Sequence, residues 1–211
     1  MVFFRRNKIP KITKLDSNQN LKALLANEAY NKPNERKRNI MDFQLDEEFN
    51  DTIYAVYQNP QEKRVILAIR GTASASDLLT DVRLAIQQVS NLKTMDNSGR
   101  FQKLNRVLNN IFSKYSRLGY NLNLTGHSLA GFETMRLEDK NPEKVSSGIA
   151  FNAGSTPMTN YKIPDDIQHI RNPRDLISYG FRNDPNTVEY VNNQKLSLFN
   201  PLKNHTINYF I

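Results

Sequence analysis

The chain contains no cysteine and no tryptophan, and only three histidines and eight glycines among 211 residues. Without cysteine there are no disulfides, thiolate nucleophiles or Cys-ligated metal sites, while the redox compartment stays open. No run is apolar over the length a transmembrane helix needs. The opening MVFFRRNKIPKITK passes from two aromatics into charge, without the apolar centre of a secretory signal. An intracellular, cytoplasmic protein is therefore expected.

Hydrophobic residues at 38% and charged residues at 24% describe a globular chain rather than a disordered one. The length suits one domain with a sizeable core and is too short for two generous ones, so residues 1–211 are expected to form a single domain. Residues 1–14 are expected as a basic N-terminal arm. A formal net charge of +8 favours acidic partners through long-range attraction, and an anionic membrane surface is one such partner. The basic residues are scattered, and the denser clusters from Arg5 to Lys14 and from Glu35 to Arg38 are expected as a solvated arm and loop. No aromatic-interleaved basic motif is present, so no nucleic-acid partner is expected.

Hydrophobic spacing lays out the elements. Leu21, Leu24, Leu25 and Tyr30 stand near helical spacing after polar starters, which predicts a helix within residues 15–31, followed by a polar loop from Lys32 to Asn39. Strands are predicted at Ile53–Tyr57 and Val65–Ile69, joined by the turn Gln58-Asn59-Pro60-Gln61. The second is apolar at nearly every position, as a strand buried on both faces should be. Leu104, Val107, Leu108, Ile111, Phe112 and Tyr115 recur at intervals of three and four and predict a long amphipathic helix from about Arg100 to Arg117. Further strands are predicted at YNLNLTG, SGIAFNAG, IQHI and TVEYV, with a helix from about Leu129 to Glu138 after the first of them. Strands alternating with helices imply an α/β fold with a mostly parallel central sheet flanked by helices.

In such a sheet the reactive groups collect at the carboxyl ends of the strands. Within LNLTGHSLAGFETM, Ser128 stands where a strand turns sharply into a helix, with Gly126 two residues before it and Ala130 and Gly131 two and three after. A nucleophile elbow needs small residues there, because strand and helix backbones pass closely; an ordinary serine filling a tight turn gives the same pattern. The distinction rests on partners: a serine nucleophile needs an imidazole base, and that base needs a carboxylate. His127 is adjacent to Ser128 in the turn and points away from it, and His169 lies inside the apolar strand IQHI, with Asp139, Asp165 and Asp166 at unsuitable places. His205, in FNPLKNHTINYF, is left as the candidate base. Asp175 follows a strand, on a loop begun by Asn172-Pro173, and is the preferred carboxylate; Asp184, one loop later, is the reserve, and Asp175 could instead merely pair with Arg171 or Arg174.

AIRGTASASDLLTDV, LNLTGHSLAGFETM, GIAFNAGSTP and IRNPRDLISYG, followed by a late histidine, make the chain resemble the fungal-type (class three) triacylglycerol lipases of the α/β-hydrolase fold. The matching stretches span residues 65–205 and keep their order. The resemblance implies Ser128 as nucleophile, Asp175 as orienting acid and His205 as general base. It implies Thr72 as the oxyanion-hole residue, acting with the backbone N–H of Leu129, and Asp81 as a structural acid. Two preorganised donors at a helix start suit a tetrahedral oxyanion.

Three departures stand out. Ala130 replaces the usual glycine, adding one methyl. The helix after Ser128, GFETMRLEDKNPEK, is more polar than the resemblance implies and is expected nearer the surface. The chain is short for the family and lacks the tryptophan many of these lipases carry in a lid; residues 73–95 offer Leu78, Leu79, Leu84 and Ile86 as a modest apolar surface, which argues against interfacial activation without deciding it. The resulting expectation is a serine carboxylic-ester hydrolase (lipase, esterase or phospholipase) acting on lipid acyl esters through an acyl-enzyme, with no metal or cofactor. The alternative is a noncatalytic binding or structural protein on the same fold, since function resides in sites and not in folds.

Overall fold

A computed structural model describes residues 9–71, 92–155, 161–192 and 204–211. Nine strands among these residues form one sheet, in the order β1-β9-β8-β7-β6-β5-β4-β3-β2. The strands are β1 (Lys11–Ile12), β2 (Asn39–Ile40), β3 (Phe43–Asp51), β4 (Tyr54–Asn59), β5 (Arg64–Ile69), β6 (Asn121–His127), β7 (Ser147–Phe151), β8 (Ile167–Arg171) and β9 (Thr187–Tyr190). The helices are α1 (Ser17–Glu28), α2 (Leu92–Asp96), α3 (Gly99–Tyr115) and α4 (Leu129–Lys140). From β5 through β9 to β1 every neighbouring pair is parallel, whereas β2, β3, β4 and β5 pair antiparallel. The sheet is mostly parallel, with an antiparallel wing.

Two of the helices start at capping residues that the local sequence supplies. Asp16 caps α1 with a reciprocal box: its carboxylate accepts from Gln19 N at 2.8 Å, and the Gln19 amide oxygen accepts from Asp16 N at 3.0 Å. Ser98 caps α3 by accepting from Phe101 N at 3.2 Å. The two faces of β5 show why it is apolar throughout. Val65, Leu67 and Ile69 join the cluster beneath α3 and α4, while Ile66 and Ala68 join Leu21 and Leu25 of α1 on the opposite face. Each of the valine, leucine and isoleucine side chains among them contributes roughly 1.5–3 kcal/mol on full burial.

Several expectations are corrected. β3 was not predicted, because its charged sequence alternates poorly and its register against β4 shifts between Leu45 and Asn50. Lys11 and Ile12 do not belong to a free arm; they pair parallel with Glu189 and Tyr190. Residues 1–8 of that arm lie outside the described residues. The loop from Glu35 to Arg38 is not simply solvated: Arg36 is 5% exposed, and its guanidinium donates to the carbonyls of Ala29, Asn31, Asp51 and Tyr54 and to Asn50 Oδ1. By donating to these carbonyls it ties the end of α1 to the β3–β4 turn.

The polar helix α4 was expected near the surface and is instead buried from Ala130 to Met135. Two of its charged side chains are met by neighbours of opposite sign, while Glu138 is buried near other carboxylates, which with burial push its pKa up to about 7. Glu133 receives a bidentate pair from Arg100 of α3, at 2.7 and 2.9 Å, and Arg136 pairs with Asp96 of α2 and with Asp139. The polar alternation of β6 is likewise covered: Thr125 Oγ donates to Lys22 O of α1, and His127 bonds to Tyr30, just beyond that helix. Among the described residues no helix is long and apolar enough to cross a membrane.

Candidate active site

The carboxyl end of β6 turns into α4 at Ser128, whose backbone has φ 62° and ψ −125°. A positive φ in a residue bearing a Cβ costs about 1–3 kcal/mol and persists only where the surroundings enforce it. Here Ser128 N donates to Phe151 O of β7 at 3.1 Å, and Ser128 O accepts from Gly154 N at 3.0 Å and Phe132 N at 3.3 Å. The close pass explains the small residues around it: a Cβ on Gly126 would stand 2.5 Å from Ala130 O. Ala130 itself is fully buried without such a conflict. Although Ser128 occupies the N-cap of α4, its hydroxyl caps nothing.

That hydroxyl instead donates to His205 Nε2 at 2.7 Å, and His205 Nδ1 donates to Asp175 Oδ2 at 2.9 Å. Ser128, His205 and Asp175 are 3%, 1% and 0% exposed, so both hydrogen bonds are shielded from water. Asp175 follows β8, and its carboxylate also accepts from Ile177 N at 3.0 Å and Ser178 N at 3.2 Å. Burial, the largest influence on this carboxyl, pushes its pKa up; the His205 charge and the donated hydrogen bonds outweigh it and hold the group below its ordinary value. Arg171 meets Asp175 at the backbone carbonyl, at 2.8 Å, and gives its ion pair to Glu189.

The other candidates have separate duties. Asp184 closes a turn, accepting from Ile163 N at 3.0 Å and Asn186 N at 2.9 Å. His169 is fully buried, accepting from Ala153 N at Nε2 and donating from Nδ1 to Thr187 Oγ, both at 3.1 Å; burial keeps it neutral, with a pKa lowered to about 3. His127 has both ring nitrogens occupied, Nδ1 by the Tyr30 hydroxyl at 2.8 Å and Nε2 by the carbonyl of His205. Leu129 opens α4, where first-turn N–H groups have no partner within the helix. Thr72 and Asp81 lie outside the described residues, as do Leu78, Leu79, Leu84 and Ile86. Among the described residues no three His, Asp or Glu gather as ligands for a metal ion.

Sequence reasoning missed the groups that hold the histidine segment. Asn152, with φ 41°, donates to Asn204 O at 3.3 Å and accepts from Asn172 N at 2.8 Å; Asn172 donates to the same Asn204 carbonyl at 2.8 Å. The only sequence signal was an asparagine directly after each of β7 and β8, the residue type that tolerates left-handed backbone most readily.

No protein-family model matches the chain, and no curated protein sequence matches it either. Solved structures do. The Lip2 lipase of Yarrowia lipolytica is similar at 18% identity, with a TM-score of 0.56 over 93% of this chain and 86% of that one. A fungal lipase in an inhibitor complex, described as a model for interfacial activation, is similar at 15% identity, with a TM-score of 0.51 over 76% of this chain and 72% of that one. The chain therefore has the α/β-hydrolase fold of the fungal lipases.

Proposed function

We propose that the chain is a serine hydrolase that cleaves carboxylic esters of lipids through an acyl-enzyme. The observation that carries this reading is the single hydrogen-bonded line from the Ser128 hydroxyl through His205 to the buried carboxylate of Asp175, at 2.7 and 2.9 Å. His205 takes the hydroxyl proton as Ser128 Oγ attacks the ester carbonyl, and Asp175 stabilises the imidazolium that results. The oxyanion is received by the backbone N–H of Leu129 together with Thr72. His205 then returns its proton to the departing alcohol, activates water, and the acyl-enzyme is hydrolysed.

Lipid acyl esters are favoured as substrates by the likeness of the fold to a lipase such as Lip2. The net charge of +8 supports glycerides or phospholipids presented on an anionic surface. The test is labelling by a fluorescent phosphonate that reacts only with activated serines, run on the wild type and on Ser128→Ala. Labelling that disappears in the variant supports the reading. A folded wild type that resists the probe, with and without mild detergent, points to the noncatalytic alternative.

A further inference from the structure

His127 precedes Ser128, and neither of its ring nitrogens faces the serine hydroxyl. Its surroundings form a directed chain of hydrogen bonds. The phenol oxygen of Tyr30 packs against the backbone of Gly71. The Tyr30 hydroxyl stands 2.8 Å from His127 Nδ1, and His127 Nε2 meets the carbonyl of His205. A carbonyl can only accept, so Nε2 carries the ring proton, Nδ1 is the acceptor, and the Tyr30 hydroxyl donates to it. Every proton in the chain has one place to be. Gly71 must be glycine for this contact: a Cβ there would lie 2.2 Å from the Tyr30 hydroxyl and 2.5 Å from His127 O.

We infer that Tyr30 and His127 are positioning residues, which hold the carbonyl of His205 so that its imidazole stays in line with Ser128. The inference rests on the proposed hydrolase function. Asn204 and His205 are helical and stand at the start of the last described segment, and two successive carbonyls there are fastened: Asn204 O by Asn152 and Asn172, His205 O by His127. Gly71, against which Tyr30 packs, immediately precedes Thr72 in the sequence.

The choice of imidazole at position 127 has a physical reason. The rings of His127 and His205 lie 4.9 Å apart, centroid to centroid. When His205 becomes an imidazolium, its neighbour must donate a hydrogen bond without carrying charge. Burial, reinforced by the His205 charge, lowers the pKa of His127 to about 3, so it remains a neutral donor throughout. Lysine or arginine would donate but repel the imidazolium, and a carboxylate could not donate.

The atom that donates dictates the test. The amide nitrogen of glutamine can occupy the place of His127 Nε2, whereas that of asparagine reaches only the place of Nδ1. His127→Asn should lower kcat about a hundredfold at unchanged KM, the usual consequence of misplacing a catalytic group by about 1 Å. His127→Gln should recover most of that loss. Tyr30→Phe removes one hydroxyl, leaves the fold intact and should lower kcat roughly tenfold, the kinetic equivalent of one neutral hydrogen bond. Nitrogen-15 NMR of labelled histidine should find His127 protonated at Nε2 in the wild type and shifted toward Nδ1 in Tyr30→Phe. Equal losses in His127→Gln and His127→Asn, an Nδ1–H tautomer in the wild type, or variants that label with phosphonate as fast as the wild type would each overturn the inference. A wild type that does not label overturns the hydrolase reading instead, and the two failures are told apart by that control.

Discussion

Replacing Asp175 by asparagine changes one atom and tests the chemistry of the site closely. Three N–H groups converge on the carboxylate: Ile177 N on Oδ1, and Ser178 N and His205 Nδ1 on Oδ2. The amide has one oxygen for these three donors. If the oxygen keeps Ile177, the new NH2 faces His205 and forces Nδ1 to accept. The imidazole proton then moves to Nε2, against Ser128, and the base is lost. If the amide is flipped, the tautomer survives but the negative charge opposite the imidazolium does not. Two unit charges about 4 Å apart interact by about 4 kcal/mol at an effective dielectric of 20, which corresponds to about three orders of magnitude in rate. Reversing the tautomer raises the loss to about 10⁴-fold. In either orientation one backbone N–H meets another donor, at about 1–3 kcal/mol of stability.

The assay is phosphonate labelling and ester hydrolysis at matched pH, with thermal unfolding in parallel and Asp184→Asn as the control. Asp184 receives the backbone N–H of Asn186 in its own turn and that of Ile163 from the segment before β8, so its variant should lose stability and keep its rate. An Asp175→Asn protein within tenfold of the wild type, or an Asp184→Asn protein that is folded but inactive, refutes the reasoning.

Two further outcomes concern stability. Lys22 is fully buried, and its ammonium donates to Ser147 Oγ at 3.3 Å; burial, with the Arg64 charge, lowers its pKa to about 7. The folded-state pKa lies below the unfolded one, so between pH 7 and 10.5 the unfolded chain binds the extra proton, and stability climbs with pH across that window. Lys22→Met should remove this slope and raise stability at pH 7 and below, by on the order of 5 kcal/mol at most; urea unfolding between pH 6 and 10 reads it, and an unchanged slope sinks the argument. Glu133→Ala leaves Arg100 in a largely buried setting without its carboxylate and should cost about 3 kcal/mol, the low end for a broken buried pair because the Arg100 side chain is 28% exposed. A loss of unfolding free energy of less than a third of that in urea denaturation would show that the pair adds little to the burial of α4.

Much of the architecture was legible in apolar spacing. The runs at Val65–Ile69 and Leu104–Tyr115 carry their period openly, and the strand and helix there emerge within a residue or two of the predicted bounds. What failed was the inference from polarity to exposure. Arg36, Glu133 and Lys22 looked like surface groups because a charge in isolation belongs in water. Each is buried, and for Arg36 and Glu133 the partners that make burial tolerable are brought by other elements: the carbonyls of Asp51 and Tyr54, and the guanidinium of Arg100. β3 escaped notice for a related reason, since its irregular register breaks the alternation on which recognition depends.

Near the site the division follows the same physics. The small residues around Ser128 announced a tight strand-to-helix turn, because backbone crowding is a local property and leaves a local mark. The scarcity of histidine narrowed the search for an imidazole, and chain order suggested a carboxylate. That His205 Nε2 and Ser128 Oγ stand 2.7 Å apart across 77 residues depends on the sheet order and on the asparagines and histidine that fasten the carbonyls of Asn204 and His205. His127 shows the limit most clearly: its sequence neighbour is Ser128, yet its partners are Tyr30 and His205, because the chain turns sharply between strand and helix at Ser128 and only the packing of other segments against the sheet decides what each side chain meets. Composition and periodicity determined which segments fold into which elements. Distance, tautomer and burial arise between elements, and the tertiary structure alone decided them.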